Sequence, residues 1–105
     1  MRFIETPVFT KIILDLMDDE DYRRLQLALL FRPEQGALIR GGGGLRKIRW
    51  GARDEGKRGG ARVIYFWHKG EETIYMLLAY SKRDQEDLTP AQLKILSRLV
   101  REEFK

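Results

Sequence analysis

The sequence contains no cysteine and a single histidine, His68. Without cysteine the chain has no disulfide, thiolate nucleophile or Cys-based metal site, and one histidine cannot supply a His-rich metal site. Long apolar runs are also missing, since no segment approaches the roughly 20 apolar residues that a membrane span needs. The N-terminus, MRFIETPVF, lacks the basic-then-apolar layout of a signal peptide. We therefore expect a cytoplasmic protein that uses no metal or other cofactor.

Length and composition predict one globular domain. The chain has 105 residues, of which 43% are hydrophobic and 34% are charged, and the hydrophobic residues fall in periodic blocks, which argues against disorder. A chain of this length buries one hydrophobic core. We expect residues 1–105 to form a single domain.

Positive charge is concentrated in the middle of the chain. The segment from Arg40 to Lys69 holds nine of the twenty Lys and Arg residues and only two acidic residues, a net charge of +7. The segments on either side are slightly acidic. Basic residues interleaved with β-forming residues are typical of a surface that binds a polyanion. The more ordinary interpretation is a solvated surface.

Apolar residues at helical spacing predict three helices. The first follows Thr6-Pro7, the second begins at the acidic cluster 18–21 and ends at Pro33, and the third follows Thr89-Pro90, with Gln92 completing a capping box. The short connection between the first two predicts an antiparallel hairpin. The apolar stripes are Phe9, Ile12, Ile13, Leu16 and Met17, then Tyr22, Leu25, Ala28, Leu29 and Phe31, then Leu93, Leu96, Leu99, Val100 and Phe104.

The remaining segments have the pattern of strands. They lie at residues 2–5, 45–50, 61–69 and 73–81, and the last two should pair antiparallel through a tight turn. Four glycines at 41–44 suggest a phosphate-binding loop, but they lead into a strand and not into a helix that begins with Lys-Ser/Thr, so a flexible lead-in to the strand is favoured. Residues 51–60 are polar and glycine-rich, which indicates a basic hairpin loop.

The predicted fold class is α+β, with an N-terminal helical hairpin and a C-terminal helix packed on a small antiparallel sheet. We expect the helices to cover one face and the basic residues to lie on the other, which would be the binding face. Period two gives the residues that share a face: Arg62, Ile64, Phe66 and His68 on one strand, and Met76, Leu78, Tyr80 and Lys82 on the next.

One reaction on a polyanion needs neither a metal nor a thiol, and that is the cleavage of RNA. The 2′-hydroxyl is the nucleophile, so the protein supplies a base, an acid for the leaving 5′-oxygen and cations for the phosphorane. Arg and Lys supply cations, and a Tyr or Lys with a depressed pKa can act as the base. No serine has a histidine and an aspartate at motif spacing, which argues against a triad hydrolase.

Three motifs occur in order: GGLRKIR at 43–49, KRGGARVIY at 57–65 and AYSKRDQEDLTPAQ at 79–92. Together they resemble the RelE/HigB family of toxins from type II toxin–antitoxin modules, and most closely its HigB-like branch. The resemblance covers nearly the whole chain. It implies a RelE-like fold of the microbial RNase kind and a metal-independent endoribonuclease that cleaves mRNA in the ribosomal A site, which inhibits translation.

The resemblance also implies partners. These are the ribosome with its mRNA and a cognate antitoxin, commonly a HigA-like helix-turn-helix protein. Operator DNA would be bound only through the toxin–antitoxin complex, and no membrane partner is implied.

The same resemblance implies five RNA-binding residues. Lys47 and Arg49 match the basic strand pair that contacts RNA and helps to activate the nucleophile, and Arg46 belongs to the same basic strand. Lys57 and Arg58 match loop residues that hold RNA backbone.

The implied catalytic residues follow in the next two strands. Arg62 matches the arginine that stabilises the scissile phosphate. Tyr80, Lys82 and Arg83 lie where the family places its remaining active-site residues, one of which protonates the leaving group or braces the phosphate. His68 lies about 20 Å from Arg62 along its strand, at roughly 3.3 Å per residue, and is not expected to be the base.

Two other interpretations remain open. A toxin of the same superfold can act without nuclease activity, as gyrase poisons do, although those relatives lack the basic catalytic set. A plain RNA-binding module would bind RNA with a steep salt dependence and leave it uncut.

Overall fold

The computed structural model describes residues 1–51 and 60–104. Within these ranges the elements are β1 (Arg2–Glu5), α1 (Pro7–Leu16), α2 (Asp19–Phe31), β2 (Ala37–Leu38), β3 (Leu45–Trp50), β4 (Ala61–His68), β5 (Thr73–Ser81), α3 (Pro90–Leu99) and a π-helical continuation, Val100–Phe104. The predicted α+β class, with a helical hairpin and a C-terminal helix packed on a sheet, is confirmed. None of these helices is long and apolar enough to cross a membrane. The loop predicted at 51–60, with Lys57 and Arg58, lies mostly outside the described residues.

The strands form one mixed sheet in the order β1-β5-β4-β3-β2. The pairs β2–β3, β3–β4 and β4–β5 are antiparallel, in agreement with the predicted antiparallel sheet, whereas β1 pairs parallel with β5, where that prediction is wrong. The helical hairpin follows β1 directly, so no tight turn forces β1 to run antiparallel to its neighbour.

Each helix begins where the sequence predicts because a side chain caps it. The Thr6 hydroxyl accepts a hydrogen bond from the Phe9 N–H at 3.1 Å, and the Asp18 carboxylate accepts one from the Asp21 N–H at 2.8 Å. At α3 both bonds of the predicted capping box are present, between Thr89 and Gln92. These bonds satisfy backbone donors that have no partner inside the helix.

The helices lie on both faces of the sheet, so the prediction of one covered and one open face is wrong. Helices α1 and α2 pack on one face in a cluster that contains Phe9, Leu25 and Val63, which we call the first core. Helix α3 packs on the other face in a cluster that contains Ile64 and Leu96, which we call the second core. The reason is visible in β4, where every residue of 61–66 is buried, as in a strand covered on both sides.

The predicted stripes supply most of both cores. Of their residues, all but Ala28 and Phe31 belong to a core or pack against one. Phe31 is the last residue of α2 and is 85% exposed, so its assignment to the stripe is wrong.

A β-bulge in β5 changes which of its residues share a face. β4 pairs Ile64 with Leu78 but Tyr65 with Met76, so Leu77 is an extra residue in β5. Met76 therefore lies in the first core and Tyr80 in the second. The prediction that Met76 and Tyr80 share a face is wrong for this reason.

Candidate functional site

Three polar side chains form a row across the sheet, on the face that carries the second core. Arg49 of β3 lies opposite Arg62 of β4, and Arg62 lies opposite Tyr80 of β5. Side chains in opposite positions of antiparallel strands have Cβ atoms about 4.5–5.5 Å apart. The three residues, here called the polar row, therefore lie side by side where β3 and β5 end and β4 begins.

Two members of the polar row are buried with unpaired polar atoms. Arg62 is 5% exposed and Tyr80 is 4% exposed. The Arg62 Nε and the Tyr80 hydroxyl have no hydrogen-bond partner among residues 1–51 and 60–104. Each such group costs about 1–3 kcal/mol, and folded proteins keep few of them. Two such groups in neighbouring positions of the sheet mark this place as a candidate site for a polar ligand.

The polar row is also cationic. Arg49 and Arg62 are like charges in opposite positions, which destabilises a sheet unless an anion lies nearby. Within the described part of the chain neither arginine forms an ion pair with a carboxylate. The row therefore favours an anionic ligand, and guanidinium groups suit phosphate because they present several donors in one plane.

A carboxylate lies beside this row. The Lys47 Nζ is 2.5 Å from the Asp87 Oδ1, and Lys47 lies on the same face of β3 as Arg49. The hydrogen bond from Lys47 and its positive charge, with smaller contributions from Arg49 and Arg62, hold the pKa of Asp87 below its ordinary value. Asp87 is thus ionised at neutral pH and partly balances the cations.

The position of Asp87 is fixed by a network that leads to α3. The Gln85 side-chain amide donates to the Asp87 carbonyl oxygen at 2.9 Å and to the Gln92 Oε1 at 2.8 Å. Gln92 in turn accepts from the Thr89 N–H, as part of the capping box. The network therefore joins the backbone of Asp87 to the start of α3, while the Asp87 carboxylate is held by Lys47.

Tyr80 is a hydrogen-bond donor and not a base. Burial raises the pKa of its hydroxyl above the ordinary value, and the charges of Asp87 and Glu86 raise it further, against an opposing effect of Arg62. The hydroxyl is therefore protonated at neutral pH. It can donate a hydrogen bond to a negatively charged oxygen of a ligand that binds beside Arg62.

Two residues from the sequence analysis lie away from this row. Arg46 lies on the opposite face of β3, where its Nη1 donates to the carbonyl oxygens of Glu34 and Gly36, both at 2.8 Å. It therefore holds the turn after α2. His68 is at the far end of β4, where its Nδ1 accepts a hydrogen bond from the Glu71 N–H in the turn.

Lys82 and Arg83 follow β5 directly and are exposed. The Lys82 N–H donates to the Gly60 carbonyl oxygen at 3.4 Å, which places its backbone two residues beyond the Arg62–Tyr80 pair. Arg83 lines a separate cavity of about 320 Å³ together with Asp15. The structure thus brings Lys47, Arg49, Arg62 and Tyr80 together, with Lys82 at the end of the row and Arg83 apart from it.

Sequence reasoning missed Asp87. It belongs to the polar segment before the third helix, which the sequence analysis interprets only as part of a motif and a turn. An acidic residue two positions before a helix cap is common, and only the fold brings it to Lys47, which lies 40 positions earlier in the chain.

The fold is a small α+β protein, and the polar row with Lys47 forms a cationic cluster at one end of its sheet. The family model described as the RelE toxin of the RelE / RelB toxin–antitoxin system matches residues 29–105, well over half of the chain. The chain therefore belongs to the RelE family of toxins, which confirms the family that its motifs predict. Membership implies a cognate antitoxin as a partner, whereas the HigB-like branch stays a prediction.

Proposed function

We propose that this toxin is a metal-independent endoribonuclease that cleaves mRNA in the A site of the ribosome and so inhibits translation. The observation that carries the proposal is the polar row, in which Arg49, Arg62 and Tyr80 occupy opposite positions of three neighbouring strands, and Arg62 and Tyr80 each have an unpaired buried atom. Membership in a family of toxins supports it. A phosphodiester offers the negative charge and the acceptor oxygens that this row lacks.

In the proposed reaction the 2′-oxygen attacks the adjacent phosphorus and the bond from phosphorus to the 5′-oxygen breaks. A proton leaves the 2′-hydroxyl, and a proton is delivered to the 5′-oxygen, which gives a 2′,3′-cyclic phosphate and a 5′-hydroxyl. Arg62 and Arg49 stabilise the charge that accumulates on the phosphorane, and Tyr80 donates a hydrogen bond to it. Lys47 contacts the RNA backbone and Lys82 forms the outer part of the site, whereas Arg83, which lies apart from the row, has no step in the reaction.

The test is cleavage mapping by primer extension on a defined message, with and without ribosomes. The wild-type protein should cut within codons only when ribosomes are present. Arg62→Gln and Arg49→Gln should each lower cleavage by about 10²-fold or more, because each removes a charged donor from the phosphorane. Arg98→Gln is the matched control, since Arg98 is an exposed arginine of α3 that pairs with Glu102, and it should cut like the wild type.

The variants must be shown to fold by circular dichroism before they are compared. Because Arg62 is buried, the exposed Arg49 provides the decisive variant if Arg62→Gln does not fold. Full cleavage by folded Arg49→Gln would contradict the assigned role of the row. Cuts on bare RNA would remove the ribosome from the mechanism. Blocked growth without cuts would favour a gyrase-poison activity, and binding without cuts would favour an RNA-binding module.

A further inference from the structure

A cleft of about 200 Å³ lies beside the polar row, between the β2–β3 connection and the start of α3. It is smaller than the roughly 300–1,000 Å³ pockets that hold drug-sized ligands, so it suits a single ring system. Three aliphatic and three charged residues line it: Ile39, Leu88 and Leu93, and Arg40, Lys47 and Asp87. An apolar lining beside cations and one acceptor matches the flat apolar face and polar edge of a nucleobase.

The cleft is continuous with the polar row because Lys47 belongs to both. Lys47 precedes Arg49 by two residues on the same face of β3, about 7 Å away at roughly 3.4 Å per residue. The backbone of one nucleotide can span this distance. An RNA strand with a phosphate on Arg49 and Arg62 therefore has a neighbouring base within reach of the cleft.

Asp87 supplies the selective group of the cleft. Its bond to Lys47 uses Oδ1, and its side chain is 73% exposed, so a ligand in the cleft can reach the carboxylate. An ionised carboxylate only accepts hydrogen bonds. Adenine, cytosine and guanine each offer an exocyclic amine, whereas the one donor on the pairing edge of uracil, N3–H, lies between two carbonyl oxygens that a carboxylate repels.

We propose that this cleft is a nucleobase subsite of the RNA-binding surface, which holds one base against Leu88 and Leu93 and selects amine-bearing bases over uracil through Asp87. The inference rests on the proposed function, because that function places RNA on the polar row.

The experiment measures binding and not cleavage, so that the two proposals can fail separately. The probes are 2′-O-methyl uridine hexamers, which lack the nucleophile, with one central base left as uracil or replaced by adenine, cytosine or guanine. Wild-type protein should bind the three amine-bearing hexamers about threefold to tenfold more tightly than the uridine hexamer. Asp87→Ala should remove this preference without weakening binding to the uridine hexamer. Glu86→Ala, a neighbouring exposed acidic residue, should retain the preference.

Leu93→Trp provides a second variant that fills the cleft. In a variant shown to fold by circular dichroism, it should weaken binding of all amine-bearing hexamers to the level of the uridine hexamer. Equal binding of the four hexamers by the wild type, or an unchanged preference in Asp87→Ala, would overturn the subsite. If the protein prefers the amine-bearing hexamers but cleaves no message, the result supports the subsite and contradicts the nuclease proposal.

Discussion

At the scale of single residues, two buried tyrosines show what distinguishes a functional group from a structural one. The Tyr65 hydroxyl donates to the Pro33 carbonyl oxygen at 2.7 Å and accepts from the Gly36 N–H at 2.9 Å. The Tyr80 hydroxyl is just as buried and has no partner in the described ranges. Tyr65 therefore stabilises the fold through its hydroxyl, whereas the unpaired hydroxyl of Tyr80 costs stability, and the proposed RNA ligand would offset that cost.

This contrast predicts opposite outcomes for the same substitution. Tyr80→Phe should leave the free energy of unfolding unchanged or raise it by about 1 kcal/mol, because it removes an unpaired polar group. It should also lower RNA cleavage by about 10²-fold, because the phosphorane loses a donor. Urea unfolding and primer extension measure the two effects.

Tyr65→Phe is the matched control for Tyr80→Phe. It leaves the Gly36 N–H unpaired in a buried position, so we expect a loss of about 1–3 kcal/mol in the free energy of unfolding. Cleavage by the folded fraction should not change. A Tyr80→Phe protein that unfolds as readily as Tyr65→Phe would show that Tyr80 has a structural role.

At the scale of elements, the start of α3 connects stability with the site. The Thr89 cap and Gln92 bond each other, and Gln92 also accepts from Gln85, which holds the backbone of Asp87. Thr89→Ala should therefore cost about 1 kcal/mol of stability and weaken the base preference assigned to Asp87. Thr89→Ser keeps a capping hydroxyl and should retain both properties. The measurements are urea unfolding and binding of the hexamers, and equal stability of the two variants would contradict the role of the cap.

The elements also show how far the sequence predicts this fold. Caps and stripes are local patterns, so the three helix starts, the strand limits near 45–50 and the antiparallel β4–β5 pair were predictable. The extra residue at Leu77 was not, because a bulge depends on how β5 fits β4 and not on the composition of β5. The run of apolar and aromatic residues at 63–67 in β4 is the sequence pattern that indicates burial on both faces.

For the candidate site, the sequence predicts which residues take part but not how they are arranged. Arg49, Arg62 and Tyr80 could be chosen from motifs, but their arrangement in one row depends on the register of three strands. Arg46 has the same charge as Lys47 and is adjacent to it in the sequence. Their roles differ because successive side chains of β3 point to opposite faces of the sheet, and on its face Arg46 bonds to the Gly36 carbonyl oxygen.

At the scale of the whole molecule, the two cores determine which surface is left for the proposed RNA ligand. Since α1 and α2 cover one face of the sheet and α3 packs on the other, the predicted open basic face does not exist. The cations of the polar row lie instead at one end of the sheet, beside the start of α3. Binding should therefore depend on which face a basic residue occupies and not on the net charge of the chain, which is +4.

The salt dependence of RNA affinity tests whether binding depends on the face that a basic residue occupies. The affinity for a single strand falls with salt at a logarithmic slope of about −0.7 for each phosphate that the protein neutralises. Arg49→Gln should therefore reduce the magnitude of the slope by about 0.7 and weaken binding of all four 2′-O-methyl hexamers alike, because a phosphate contact carries no base preference.

Arg46→Gln removes the same charge from the same strand, but that guanidinium is bound to carbonyl oxygens on the opposite face. It should leave the slope unchanged at temperatures where both variants are folded, and equal slope changes in the two variants would mean that RNA contacts both faces of β3.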